Sequence, residues 1–444
     1  MITLNRERLN KILGLAVPII LGMASQNVLN LVDTAFVGQL GDVALAAVGM
    51  GGFANWLLAA FLIGLGSGVQ ATASRRLGEG KEDETAFGLN AALVVAAALG
   101  VPAAALGVAF APELFALLND DPAVISVGGA YLGARLLGLP FVAANFSFRG
   151  FWNGTNRPRN YLITLVFMHA INVALDYGLI FGHFGLPEMG AAGAGYATSI
   201  SLVCGTGLYG VLGLLQAREN GFLSSRKLGE VLPVVVRLSV PAGFQQVVFS
   251  AGFVVFFVIA GEVGTAALAA SNVLVNLALL CILPGLGFGL AGASLVGQAL
   301  GAGDRDDARR WGYEVLSLGM VVMGVIGLLL ALFPRTWLGI FIVDNPETLE
   351  LAVAPLIILG LYQLVDAVGV VLFNILVGVG DTIAALKLNL FAQWLMFLPL
   401  VYLFSVVLGY GVIALWIGMG VYRLLLAALA LWRFRGGAWA DVEV

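Results

Sequence analysis

Twelve apolar stretches, each of about twenty residues or more, follow one another along this chain between polar or Gly/Pro-rich breaks. They place helices near 12–36, 45–73, 86–110, 126–152, 160–182 and 191–216, and again near 231–260, 268–297, 311–333, 350–378, 384–408 and 411–433. One bilayer crossing needs roughly 20 apolar residues, so each stretch is long enough to span. Only 11% of the 444 residues are charged, against about 25% in a soluble domain. Too few charges remain to wet a water-facing surface, and lipid must be the main solvent. The first stretch follows Arg6, Arg8 and Lys11, as a secretory signal would. It runs on to Phe36, longer than a signal's apolar region, and reads as a membrane helix.

The halves repeat. A shift of 223 residues lays Pro18 on Pro241, Gly38 on Gly261, Gly41 on Gly264, Gly64 on Gly287, Gly66 on Gly289, Gly78 on Gly301 and Gly80 on Gly303. Six crossings in each half give both the same orientation, which relates them by an axis along the membrane normal. The fold class is therefore an all-α polytopic membrane protein. Its 12 helices form two pseudo-symmetric six-helix bundles around a central cleft, with lobes at 1–220 and 221–444 joined by the charged stretch from Arg218 to Glu230. Charge bias agrees with this count. Of 22 Lys and Arg, 19 fall on one side, while Arg335 sits opposite and Arg135 and Arg423 lie within helices. The positive-inside rule then puts both termini in the cytoplasm, as expected of an inner-membrane protein.

Several functions are disfavoured by what the chain carries. A net charge of −4 gives no footing for nucleic acid. Cys204 and Cys281 lie in apolar runs, which argues against a disulfide framework or a thiolate metal site. No HExxH, GxSxG or Walker motif occurs, and His169 and His183 stand alone as packed or loop histidines. The expectation is a non-enzymatic monomer without a cofactor.

Ionisable groups inside the membrane need a reason, since each costs roughly 2.5–3.5 kcal/mol at a helix centre on insertion scales. Gln26, Asn30 and Asp33 recur at i, i+4 and i+7 and form one polar stripe on the first helix. Pro18 removes a backbone bond below that stripe and should bend the helix, with Gly14 and Gly22 leaving little packing to hold it straight. Asn172 and Asp176 share a face of the fifth helix, and Thr198 falls at similar depth in the sixth. Depth alone thus gathers Asp33, Asn172, Asp176 and Thr198 into one layer. Desolvation and mutual repulsion make it costly for both carboxylates to be ionised, which suits a proton carrier. With the Asn and Thr oxygens the same four residues could instead ligate Na⁺. Asp366 lies mid-way along the tenth helix, and its role divides evenly between function and structure. Arg135 either neutralises an acid or snorkels outward, and is read here as structural. Asp120-Asp121 and Asp344 read as solvated turns beside Pro122 and Pro346.

At this point the residues resemble a known family. Pro18, Gln26 and the run AsnLeuValAspThrAlaPheValGlyGlnLeuGly at 30–41 look like the signature of multidrug and toxic compound extrusion (MATE) transporters. The repeat, the twelve helices and GlyValGlyAspThr at 378–382 agree, and the resemblance covers the whole chain. Asn172, Asp176 and the first-helix Asp resemble the DinF-like branch in particular. That resemblance implies a first-half cluster exchanging a cation for drug, with a bendable first helix. Carried over by position, Asp33, Asn172, Asp176 and Thr198 match, with Gln26 and Asn145 as supporting candidates. The NorM-like branch carries a Glu early in the seventh helix, where this chain has Gln245, Gln246 and Phe249. Asp366 resembles that branch's tenth-helix Asp, and Val377 replaces the usual Arg before GlyxGlyAspThr.

These readings converge on an antiporter coupled to H⁺ or Na⁺ that exports amphipathic, cationic organic compounds by alternating access. Protonation of Asp33 would cancel a buried charge, let the first helix bend near Pro18 and release substrate outward. A lipid-linked glycan flippase of the same broad superfamily is one rival; it should line its cleft with basic residues, and only Arg135 and Arg423 are available. A non-transporting membrane scaffold or sensor is the other, distinguished by substrate flux in vesicles.

Overall fold

The computed structural model describes residues 5–342 and 345–444, so Asp344 lies outside the described residues. The helices of the first half are α1 (Arg6–Gly38), α2 (Asp42–Ile63), α3 (Leu65–Gly78), α4 (Phe87–Ala109), α5 (Ala111–Ala116), α6 (Pro122–Leu136), α7 (Leu139–Gly154), α8 (Pro158–Phe181) and α9 (Gly190–Gln216). The second half holds α10 (Leu228–Val263), α11 (Thr265–Gly301), α12 (Arg305–Leu332), α13 (Pro334–Phe341), α14 (Pro346–Gly378), α15 (Thr382–Asn389), α16 (Leu398–Tyr402) and α17 (Gly411–Gly436). Among the described residues, 11 helical stretches are long and apolar enough to cross a membrane, and 12 if α6 and α7 count as one bent span. They coincide with the twelve expected crossings.

Three crossings depart from a straight helix. The fourth crossing is broken by 45° between α6 and α7, where Pro140 cannot donate to the carbonyl four residues back. The second is broken at Gly64, where an added side chain would lie 2.3 Å from the backbone nitrogen of Gly243. The eleventh loosens into π-helical turns at Leu390–Phe397, between α15 and α16.

The chain forms two compact units. One is Leu21–Gly243; the other joins the residues up to Ile20 to Phe244–Val444. The lobes expected from the repeat, 1–220 and 221–444, therefore exchange the leading segments of α1 and α10. Both exchange points fall three residues beyond a proline, Pro18 and Pro241. In the Leu21–Gly243 unit, helices approach where glycine leaves room: a Cβ on Gly150 would meet the carbonyl oxygen of Gly66 at 2.1 Å. Gly22 behaves in the same way, with Tyr161 Cε1 only 2.6 Å from a would-be Cβ. That corrects the expectation of slack there, because the Tyr161 ring fills the space. Around Gly14 the space is open, as expected. The second unit has an aromatic centre, with Phe256 stacked on Phe397 at 5.8 Å and Phe397 on Tyr422 at 4.8 Å.

Candidate functional site

In the Leu21–Gly243 unit, α1, α8 and α9 bring four sequence-predicted residues together. Asp33 on α1 and Asp176 on α8 converge on the same side chain, the amide of Asn172. Two carboxyls brought this close to one amide, away from bulk water, are costly to ionise together, which suits a proton held by the pair. Asn172, one turn before Asp176, is the bridge. With its amide nitrogen toward the acids it donates to Asp33 Oδ1 at 3.2 Å and to Asp176 Oδ2 at 3.3 Å, while its oxygen accepts from the Thr198 backbone amide at 3.2 Å. The opposite orientation would set the amide oxygen against carboxylate oxygens. Asn172 and Asp176 are fully buried, and Asp176 Oδ1 has no hydrogen-bond partner among the described residues. The Thr198 hydroxyl donates to the carbonyl of Ala194 at 3.0 Å, so Thr198 serves the cluster through its backbone.

Arg135 ends α6 within electrostatic reach of Asp33 and Asp176, and Tyr131 one turn earlier shares that surrounding. Arg135 Nε is buried without a hydrogen-bond partner among the described residues. It belongs to the electrostatics of the acid pair, whereas from the sequence it reads as structural. The bend at Gly138 and Pro140 sets this end of α6; both residues were visible in the sequence.

The rest of the α1 stripe is more open. Gln26 donates to Asn30 Oδ1 at 3.2 Å, and Asn30 is exposed. His169 Nε2 stands 3.2 Å from Gln26 Oε1, a contact that spacing could not disclose across 143 residues. His183 instead packs against Tyr177, with ring centroids 4.2 Å apart. Asn145, a supporting candidate, turns to α9: it donates to the Leu202 carbonyl at 3.2 Å and accepts from Thr206 at 2.8 Å.

Asp366 has a different environment. Arg423 on α17 grips it bidentately, Nε to Oδ1 at 2.7 Å and Nη2 to Oδ2 at 2.8 Å, with 8% and 2% of the two side chains exposed. On α10, Gln245 is buried and the Phe249 carbonyl accepts from Gln393 at 3.1 Å. The second half thus satisfies its membrane acid internally. Asp381, of the GlyValGlyAspThr run, is likewise held by both Nε and Nη2 of Arg433 at 2.7 and 2.9 Å.

Comparison with known proteins gives a consistent picture. The profile of the MatE family matches residues 18–178 and again 241–403, two matches whose starts differ by the 223 residues of the repeat. A protein of Rhodopseudomonas palustris named "Probable multidrug resistance protein NorM" is 31% identical over 97% of this chain and 92% of its own. One of the same name from Thermotoga maritima is 27% identical over the same shares. Among solved structures, one titled as the outward-facing conformation of a multidrug resistance MATE family transporter superposes with a TM-score of 0.88 at 21% identity, covering 98% of this chain and 96% of that one. Another, titled as MATE in the straight conformation, gives 0.87 at 22% over 97% of both chains.

Proposed function

The chain belongs to the multidrug and toxic compound extrusion (MATE) family, and from that membership we propose that it is a cation-coupled multidrug antiporter. It exports amphipathic, cationic organic compounds across the cytoplasmic membrane, with both termini inside the cell. The observation that carries the coupling is the convergence of Asp33 and Asp176 on the one Asn172 amide. Such a pair is costly to ionise fully and so favours holding one proton. Losing that proton leaves two facing anions, and the element best able to respond is α1, whose Pro18 denies it one backbone bond. Taking the proton back lets Asp33 return to Asp176 and Asn172, and α1 repacks and bends near Pro18 as substrate leaves. One proton carried inward for one monocation carried outward moves no net charge, so the pH gradient is the driving force of that exchange.

Of the two ions, H⁺ is the one the acid pair itself suits, since two such carboxyls are costly to ionise together. The Asn172 amide serves either ion: with its nitrogen toward the acids it bridges a protonated pair, and with its oxygen there it would join a Na⁺ ligand set. Within the family, Asn172 and Asp176 support the DinF-like resemblance, although overall identity runs to proteins named NorM. The flippase reading loses support because Arg423, one of its two intramembrane cations, is committed to Asp366.

The test is dye efflux from proteoliposomes under an imposed pH or Na⁺ gradient, one at a time. Wild type should export under the pH gradient, and Asp33→Asn, isosteric but unable to titrate, should not. Wild-type rates in Asp33→Asn would remove Asp33 from the mechanism; export under Na⁺ alone would reassign the ion.

A further inference from the structure

The α12 residue Glu314 is fully buried, and nothing in the coupling scheme uses it. It accepts from Arg8 Nε and, at 2.9 Å, from Arg310 Nε. Arg8 also reaches Asp307 Oδ1 through Nη1 at 2.6 Å, and its guanidinium carbon lies 3.5 Å from the centroid of the Trp311 ring. Trp311 closes the network by donating from Nε1 to Asp307 Oδ2 at 2.8 Å. Arg8 therefore has an acid at either end of its fork and an aromatic face against it, an arrangement a lysine could not reproduce. On the apolar side, Ile12, Leu15 and Ala16 are buried in the cluster that holds Phe288, Leu295 and Val315. Gly287 makes room for Ile20, whose Cγ1 lies 2.2 Å from where a Cβ would stand.

All of these contacts lie within the unit that contains the residues up to Ile20, and α1 leaves that unit three residues past Pro18. We infer that Glu314 and Arg8 are positioning residues for transport: they anchor the pre-proline segment of α1 to α12, so that α1 moves only beyond Pro18. This rests on the antiport reading above. Withdrawing Arg8 would leave buried Glu314 with only the half-exposed Arg310 as charge partner, which is disfavoured, so the segment stays in place through the cycle.

The repeat supplies an internal control. The residue 223 positions before Asp307 is Glu84, and it pairs with Lys227 immediately ahead of α10. Each exchanging helix is thus tied at its start, through a basic residue, to an acid at the same position of the repeat. The second tie is weaker in kind. Lys227 is 43% exposed, and the positions matching Glu314 and Trp311 are Ala91 and Gly88, which add neither a second acid nor a ring.

Hydrogen exchange on the full-length protein in nanodiscs tests the anchor without substrate or gradient. Arg8→Gln should speed exchange of the pre-proline amides of α1 by about tenfold or more while leaving α10 unchanged. Arg8→Lys should restore part of the protection, and Glu84→Gln should leave α1 at the wild-type level. In vesicles, Arg8→Gln should lower the maximal efflux rate several-fold at unchanged substrate affinity. Wild-type exchange before Pro18 in Arg8→Gln would overturn the proposal, and so would an equal fall of rate and affinity. If the wild type fails to export, the antiport reading fails, and the exchange comparison still decides whether the anchor exists.

Discussion

The two halves share a repeat and treat charge in opposite ways. In the first, Asp33 shares the Asn172 amide with a second carboxyl, Asp176. The residue 223 positions on from Asp33 is Phe256, fully buried among Phe397 and Trp416. The positions matching Asn172, Asp176 and Thr198 are Leu395, Pro399 and Val421. The second half does keep a membrane acid, Asp366, but gives it a permanent counter-ion in Arg423. A carboxyl that shares a proton can change its charge; one clasped by a guanidinium is held in a single state. On the antiport reading proposed above this is a division of labour: one half carries an exchangeable proton while its counterpart is built to stay as it is.

The largest expected effect on transport separates the halves directly. Asp33→Asn should reduce gradient-driven efflux to the leak rate with its melting temperature within a few degrees of wild type. Efflux that survived would place the exchangeable proton elsewhere. Asp366→Asn should show the reverse pattern: a loss of about 3–5 kcal/mol of stability, the cost of stranding a buried partner charge, with per-molecule efflux retained in the folded fraction. Thermal unfolding and efflux normalised to folded protein read both quantities. Equal loss of efflux in the two variants would make Asp366 a second coupling group and end the asymmetry.

Pro18→Ala is a smaller perturbation. It restores a backbone bond in α1, so turnover should slow a few-fold while substrate affinity in detergent barely changes. Unchanged turnover would remove the hinge. Glu84→Gln should be smaller still, within about 1 kcal/mol of wild-type stability, since its partner Lys227 is largely solvated. A larger loss would mean that the two helix ties are closer in strength than their exposures indicate.

How far the molecule was legible in its sequence follows from the range of each interaction. The twelve crossings came from runs of one chemical character, and the repeat from glycines kept in step, both local signals. Asp33, Asn172, Asp176 and Thr198 could be gathered because helix spacing fixes face and hydropathy fixes depth. Partnerships between faces were out of reach. Asp366 and Arg423 lie 57 positions apart and His169 and Gln26 143 apart, with no shared periodicity to link them. Glu314 gave no sign because it follows a charged stretch at the start of α12 and looks solvated until Arg8, 306 residues away, is seen to cover it. The exchange of the α1 and α10 leading segments was hidden for the same reason, although the prolines marking it were in plain view.

The account turns on where the exchangeable proton resides, and substrate-induced proton release from the purified protein measures that most directly. In weakly buffered detergent solution with a pH dye, a transported cation added to wild type should release about one proton per molecule near the pH of half-maximal binding. Asp366→Asn should release the same amount per folded molecule, and Asp33→Asn none. Wild-type release from Asp33→Asn, or its loss from folded Asp366→Asn, would contradict the account.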